Sequence, residues 1–186
     1  IKKIGILIKE KPRSLFRHLG LKNPWAFNTK TGGITLLYNE KYANETFYNT
    51  DVNNLLENSW FIKENNRKKY IVIAPAHLVM TINYEEVVNK HIESGADVTC
   101  VYKQNENGRT EFLSSSVFEM EDNRITNIKP NKGDNDNVAV SLCTYVVNYS
   151  TFVSLLEKAH ATSPLFSLRD AIRTNVDKLK VYGYEY

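Results

Sequence analysis

Cysteine and histidine are scarce in this sequence. Its 186 residues include two cysteines, Cys100 and Cys143, and four histidines. None of them stands at the spacing of a zinc-ligand pair, and two isolated cysteines cannot build a disulfide-dense secreted scaffold. The sequence therefore excludes both classes of protein and predicts a reducing, cytoplasmic environment.

Long apolar runs and a strong charge of one sign are also lacking. No run approaches the ~20 residues that span a bilayer, and the net charge is only +3. Basic residues are scattered, apart from a short basic segment at 9–22. The sequence thus predicts neither a membrane nor a nucleic-acid partner. Its 42% hydrophobic and 24% charged residues are typical of a globular domain.

Common catalytic patterns are missing as well. The chain has eight glycines, and the adjacent pair Gly32-Gly33 is too short for a phosphate-binding loop. There is no Gly-x-Ser-x-Gly nucleophile elbow, and neither cysteine has a base near it in sequence. The carboxylate pair Glu85-Glu86 begins a predicted helix, where such pairs are usually solvated. These patterns predict no catalytic residue.

What the chain does contain is a strand–helix–strand pattern. Residues 69–74 (KYIVIA) form a continuous apolar run that is typical of a strand buried on both faces, and 96–103 form a second one. Between them, Asn83 can cap a helix that Gly95 would end. This order predicts a βαβ unit in which 69–74 and 96–103 pair in parallel, with the helix packed across them.

The remaining segments predict an α/β fold with a mixed, mainly parallel sheet and a β-rich excursion at 110–130. Ligands in such folds bind at the carboxyl ends of strands, so the loop 74–83 is the first candidate site. The chain begins at Ile1 and ends at Tyr186, each inside a strand-like run. We therefore expect one partial domain over 1–186, cut from a longer protein at both ends.

Five segments stand out along the chain. They are 47–54 (FYNTDVNN), 74–84 (APAHLVMTINY), 128–130 (IKP), 141–146 (SLCTYV) and 182–186 (YGYEY). The first four resemble, in order, segments of the bacterial glucose-1-phosphate adenylyltransferases (ADP-glucose pyrophosphorylases): Trp-Tyr-x-Gly-Thr-Ala-Asp-Ala, Ser-Gly-Asp-His-Leu-Tyr-x-Met-Asp-Tyr, Glu-Lys-Pro and Ser-Met-Gly-Ile-Tyr-Val. The fifth resembles the strand that leads towards that family's C-terminal β-helix.

Further details resemble one branch of this family. The segment 13–20 (RSLFRHLG), the pair Gly32-Gly33 and the closing YGYEY are similar to the non-catalytic, regulatory-type subunit that accompanies a catalytic subunit in many Gram-positive bacteria. The resemblance covers 1–186 and implies the Rossmann-like nucleotide-diphospho-sugar transferase fold, without the N-terminal glycine-rich nucleotide loop and the β-helix. It also implies a catalytic adenylyltransferase subunit as partner, in glycogen biosynthesis.

The departures from the family fall on its chemistry. The family reaction converts ATP and glucose 1-phosphate into ADP-glucose and pyrophosphate with Mg²⁺, a hard cation that prefers carboxylate oxygens. The family's aspartate after Ser-Gly is His77 here, or Ala76 if the alignment shifts by one, and 74–83 contain no Asp or Glu. We expect no metal site and no catalytic residue in this chain, the Mg²⁺ being held by the catalytic partner. Three further positions differ. Asn83 stands where the family has a later aspartate, and Ile128 stands where it has an acidic residue. Thr50 stands where it has a glycine, and the threonine side chain would intrude into the space through which substrate approaches the backbone.

Two family positions are retained. Lys129 corresponds to the family's sugar-phosphate lysine and Ser141 to a serine that lines the sugar pocket, and His77 would stand with them if a sugar phosphate or nucleotide still binds. Each also has a plainer interpretation. Lys129 would be a surface lysine before a turn proline, Ser141 a small residue in a buried strand, and His77 a strand-end histidine bonded to backbone.

Three functions remain open from the sequence. The first is a catalytically degenerate, regulatory-type subunit of glucose-1-phosphate adenylyltransferase. The second is a competent sugar-phosphate nucleotidyltransferase with an unusual site, and the third is a sugar-phosphate sensor without an enzyme partner. The missing acidic residue after 69–74 favours the first function over the second.

Overall fold

A computed structural model describes residues 3–9, 12–19, 33–41, 45, 47–64 and 69–186. Gly32, which belongs to the family resemblance, and residues 10, 11 and 20–22 of the basic segment lie outside these residues. The chain divides into two compact units, Ile1–Asn66 with Leu156–Leu168 and Arg67–Leu155 with Arg169–Tyr186. No helix in the described part of the chain is both long and apolar enough to cross a membrane.

Helices and strands alternate through the first half of the chain, and strands dominate the second. In order they are β1 (Lys3–Ile8), α1 (Pro12–Leu19), β2 (Gly33–Tyr38), α2 (Asp51–Glu57), α3 (Ser59–Glu64), β3 (Tyr70–Ile73), α4 (Tyr84–Ser94), β4 (Val98–Asn105), β5 (Ser116–Glu121), β6 (Arg124–Pro130), β7 (Val138–Asn148), α5 (Tyr149–Thr162), α6 (Leu168–Arg173) and β8 (Val181–Glu185).

In the first unit, β1 and β2 pair in parallel, and buried asparagines close their carboxyl ends. Asn49 donates its amide to the carbonyl of Lys9 at 2.9 Å, and Asn54 donates to the last carbonyl of β1 at 3.3 Å. Asn58 donates to the last carbonyl of β2 at 2.8 Å. Because buried carbonyls need donors, these amides let two parallel strands end inside the unit. Asparagine is frequent in this chain, and these buried amides account for three of its asparagines.

The second unit holds a six-stranded sheet in the order β3-β7-β4-β8-β6-β5. Strand β5 also pairs with β7, so β4, β7, β5, β6 and β8 form a closed ring of hydrogen-bonded neighbours. The predicted β-rich excursion is the β5–β6 hairpin of this ring, and its turn is Asp122-Asn123, both at positive φ. Closure removes exposed strand edges from this part of the sheet.

The expected direct pairing of 69–74 with 96–103 is wrong. Strand β7 lies between β3 and β4 and is antiparallel to both, so that Tyr145 faces Ile73 on one side and Cys100 on the other. Strands β3 and β4 therefore run in the same direction without touching. Strand β7 has eleven residues and is buried for most of its length, which suits a central strand.

The α/β class with a mixed sheet is confirmed. Parallel pairing, which was expected to predominate, is found between β1 and β2 and between β4 and β8, whereas the other described pairs are antiparallel. Helix α4 is also confirmed with both of its caps. The Asn83 side chain accepts from the Glu85 amide at 3.2 Å, and Gly95 ends the helix at φ 63°. Residues 51–64, whose apolar spacing is typical of one helix, form the two short helices α2 and α3.

A buried histidine ties α4 to the sheet. The ring of His91 is 1% exposed, its Nδ1 accepts from the Thr99 hydroxyl at 2.8 Å, and its Nε2 donates to the Asn148 amide oxygen at 3.2 Å. The Asn148 amide nitrogen donates to the Ala96 carbonyl, so the Asn148 oxygen is the atom that faces His91 as an acceptor. This assigns the ring proton to Nε2. Burial lowers the pKa of His91 below its ordinary value, so the ring is neutral in the folded chain.

We expect the free energy of unfolding to fall as the pH drops below about 6.5, because the unfolded chain then binds a proton that buried His91 resists. Urea unfolding at neutral pH and at pH about 5 measures this loss. The His91→Gln variant should lose less of its stability on acidification than the parent chain. His77→Gln, at an exposed histidine, is the matched control and should keep the parent's slope. Equal slopes in both variants would contradict the assignment.

Candidate functional site

The loop after β3 is the first candidate site that the sequence predicts. Its residues Ala76 and His77 form an exposed turn, and Val79 is fully exposed. Further along, the backbone N–H of Thr81 donates to the Tyr186 hydroxyl at 3.2 Å, which fixes the loop to the end of β8. The loop therefore presents an imidazole and backbone groups to solvent, and no carboxylate.

Ser141 lies at an irregularity of β7. Tyr102 pairs with Ser141 and Val101 with Thr144, so β7 carries two extra residues at this point. The Ser141 hydroxyl accepts from the backbone N–H of Cys143 at 3.2 Å and lies near the hydroxyl of buried Tyr145. Burial raises the pKa of that tyrosine. Ser141 is thus a structural part of the bulge, with its hydroxyl already engaged.

Cys143 has a backbone conformation that cysteine rarely adopts, with φ 50°. The resembling family has glycine at this position, the residue that enters the left-handed region without steric cost. The bulge geometry therefore explains the family's glycine physically. In this chain a cysteine has the same backbone shape, at a cost on the order of 1 kcal/mol.

Substitutions at Cys143 should follow an order opposite to strand propensity. We expect Cys143→Gly to leave the free energy of unfolding unchanged or raise it by up to ~1 kcal/mol, because the strain is relieved. Cys143→Val should lower it by about 2 kcal/mol, since β-branched residues tolerate positive φ poorly. At Thr35, a half-buried position in β2 that pairs regularly with Gly5, valine should instead be better than glycine. Urea unfolding of the four variants is the measurement, and valine exceeding glycine at Cys143 would refute the argument.

Lys129 is engaged by a neighbouring carboxylate. Its amine forms an ion pair with Glu119 across the β5–β6 hairpin, and the same carboxylate accepts from the Asn127 amide at 2.9 Å. The hydrogen bond raises the pKa of Lys129 and lowers that of Glu119. Because both side chains are nearly half exposed, an anionic ligand could compete for this amine in solvent.

Strand register separates the two retained family positions. Lys129 faces Val117, which faces Val140, so these three side chains leave the sheet on one side. Ser141 follows Val140 in β7 and leaves on the other side, because side chains alternate along a strand. The structure therefore brings Lys129 and Ser141 to opposite faces. Ile128, at the family's acidic position, is the residue on the face of Ser141, and it is 4% exposed.

The segment 47–54 supports the first unit from within. The Thr50 hydroxyl accepts from the Asn53 backbone N–H at 3.2 Å and caps α2, with an ordinary φ of −86°. The Thr50 side chain thus has a capping role in the first unit. The Asn53 amide donates to the Pro164 carbonyl at 2.8 Å, and the Asp51 carboxylate accepts from the Leu168 N–H at 3.0 Å. Sequence reasoning missed both tethers, since their partners are more than 100 residues away.

The Mg²⁺ of the family reaction does not fit the residues present. Its preferred ligands are carboxylate oxygens, whereas loop 74–83 offers the imidazole of His77. Across the described residues there is no group of three His, Cys, Asp or Glu side chains that could hold a metal ion. We therefore derive no chemical step through a metal bound to this chain.

The chain is similar in sequence to glucose-1-phosphate adenylyltransferases. It is 29% identical over 194 residues to a glucose-1-phosphate adenylyltransferase from Clostridium acetobutylicum, covering 98% of this chain and 49% of the relative. A second one, from Fervidobacterium nodosum, is 26% identical over 100% of this chain and 45% of the relative. The chain thus spans about half the length of these relatives.

A solved structure supports the fold independently of sequence. It is a Bacillus anthracis protein described as a glucose-1-phosphate thymidylyltransferase in complex with sucrose, and its TM-score is 0.73. It covers 100% of this chain and 68% of its own, at 11% identity, so the likeness concerns the fold alone. The family model for nucleotidyl transferases matches residues 1–183. The chain belongs to the nucleotidyl transferase family.

Proposed function

We propose that this chain is part of a regulatory-type subunit of glucose-1-phosphate adenylyltransferase whose own site does not catalyse the family reaction. The observation that carries the proposal is the loop 74–83, which has His77 and no Asp or Glu where the family supplies a carboxylate to the metal. A site without that ligand cannot neutralise a triphosphate while a sugar phosphate attacks it.

Other positions that match the family support the same conclusion. Asn83, at a second acidic family position, caps α4 through its side chain. Ile128 buries an apolar side chain where the family has an acid. Lys129 lies on the opposite face of the sheet from Ser141. Each of these residues has a structural task or neighbour that an ordinary active site would not give it.

A subunit of this kind acts through a partner. We propose that it assembles with the catalytic subunit in the cytoplasm and modulates ADP-glucose synthesis for glycogen, the Mg²⁺ belonging to that partner. Both cysteines of the chain are free thiols, which suits a reducing compartment. A sugar phosphate or nucleotide that binds Lys129 would displace Glu119 from its amine. This binding needs no metal ligand, so it is compatible with lost catalysis.

The experiment that tests this function mixes the whole protein with the catalytic subunit from the same organism. The expected results are co-elution on size exclusion and a change in the partner's maximal rate or effector response. The Lys129→Ala variant should still co-elute, since this lysine bonds within its own hairpin. Failure to associate, together with an unchanged partner rate, would contradict the regulatory assignment.

A further inference from the structure

A groove in the second unit is separate from loop 74–83, Lys129 and Ser141. Its lining residues come from α4, β4, β8 and the turn between β5 and β6, all within one unit. Its volume is about 560 Å³, inside the ~300–1,000 Å³ range of small-molecule sites. Neither the resemblance nor the proposed function assigns a role to this groove.

Two tyrosine–carboxylate pairs lie at the groove. The Tyr184 hydroxyl on β8 lies near the Glu86 carboxylate on α4, and Tyr102 on β4 lies beside Glu185, its pairing partner on β8. Burial, and after it these carboxylates, raises the pKa of both tyrosines. A carboxylate has about four acceptor positions, so both glutamates can accept further hydrogen bonds.

The charge of the groove excludes anionic ligands. Glu86, Asp122 and Glu185 line it, against the single cation Lys90. The Lys90 amine is already paired with Glu93 at 2.8 Å. A phosphate or carboxylate ligand would meet net repulsion here, which distinguishes the groove from any sugar-phosphate or nucleotide site. No described cluster of acidic or histidine side chains fits a metal ion either.

The groove offers donors as well as acceptors, and tyrosine rings line it. The turn residue Asn123 is exposed and contributes a side-chain amide, and the Lys90 ammonium has N–H groups beyond the one that Glu93 receives. Tyr182 and Tyr184 leave the same face of β8; Tyr184 packs against the core cluster that includes Val87, whereas Tyr182 is half-buried at the groove. Hydroxyl groups both donate and accept, and the C–H faces of sugar rings pack on aromatic rings. An organic cation would leave the donors unused.

We propose that this groove binds a short, uncharged oligosaccharide, with Glu86 accepting sugar hydroxyls and Tyr182 packing on a sugar ring. The backbone fits this task, because the Gly183 N–H donates to the Asn123 carbonyl at 2.8 Å and fixes the turn beside the floor of the groove. The binding face is therefore largely formed before a ligand arrives, which lowers the entropy cost of binding.

Titration of the isotope-labelled chain with maltotriose, followed by amide chemical shifts, tests this proposal. We expect saturable shifts at 86–94, 122–123 and 182–185. Glu86→Gln should raise the dissociation constant for maltotriose about fivefold or more, as expected when a charge-assisted hydrogen bond is lost. Glu85→Gln is the matched control, because this neighbour lies in the same helical turn but does not line the groove. It should change binding less than about twofold.

A second pair of variants tests the aromatic contact. Tyr182→Ala should weaken maltotriose binding, whereas Trp60→Ala, at a 47% exposed ring of α3, should not. Four outcomes would overturn the proposal: no saturation with maltotriose, equal effects of the two glutamine substitutions, tighter binding of spermidine than of maltotriose, or binding of glucose 1-phosphate at these same amides. A failure here leaves the regulatory function intact, since that function does not use the groove.

Discussion

The whole protein, assayed alone with ATP, glucose 1-phosphate and Mg²⁺, is expected to form ADP-glucose at less than about a thousandth of the rate of a catalytic family member. The reason is the loop 74–83, which has no carboxylate for the metal. Losing the charge stabilisation of a positioned metal removes several kcal/mol, and each ~1.36 kcal/mol is tenfold in rate. Continuous detection of pyrophosphate release measures the rate.

A single substitution should not restore this activity. In His77→Asp a carboxylate returns to the loop, but Asn83 and Ile128 still occupy two further acidic positions of the family. Ile128 is buried, so an acid placed there would also meet a desolvation cost. His77→Asn serves as the control of equal size without charge. Turnover by the parent protein near that of an ordinary family enzyme would instead support the competent-transferase hypothesis.

Gly183→Ala is expected to lower the free energy of unfolding by about 2 kcal/mol through overpacking. A Cβ at this position would lie 2.8 Å from both the Met120 sulfur and a ring carbon of Tyr102. The sulfur can move, but the Tyr102 ring is buried and makes an edge-on contact with Phe118. Strand β8 closes the ring of strands at this point, and so crowding here disturbs several pairings together.

A double-mutant cycle separates crowding from backbone effects. In a Met120→Ala background, the cost of Gly183→Ala should shrink by about 1 kcal/mol, because the sulfur no longer occupies the space. Gly95→Ala is the comparison, since Gly95 has φ 63° and open space around its missing Cβ. Its cost should stay the same with or without Met120. A Gly183→Ala cost below about 0.5 kcal/mol would show that the ring of strands is looser than described.

Local signals predicted the parts of the fold that depend on nearby residues. Helix α4 was readable because its caps, Asn83 and Gly95, lie beside the helix that they end. The β-rich excursion at 110–130 was predicted as well, and it contains the β5–β6 hairpin with its turn at Asp122-Asn123. The insertion of β7 between β3 and β4 was not, because no residue in 69–103 indicates which later strand will pair with them.

The strand register is the part of the candidate site that could not be predicted from the sequence. Lys129 and Ser141 both match family positions, but whether their side chains share a face depends on the pairing of β5 with β6 and β7. A register shift by one residue would put both side chains on the same face. The sequence of short strands of mixed polarity does not specify this register. By contrast, the missing carboxylate in 74–83 is a property of residue identity and needed no structure.

The central claim is that catalysis in the assembly belongs to the partner. Its most direct test combines the whole protein with a catalytic subunit whose own metal-binding aspartate has been replaced by asparagine, and measures ADP-glucose formation by the complex. We expect no activity above that of the inactivated subunit alone, although the two proteins co-elute. ADP-glucose formation by that complex at a rate approaching that of the unmodified pair would place a working active site in this chain and contradict the account.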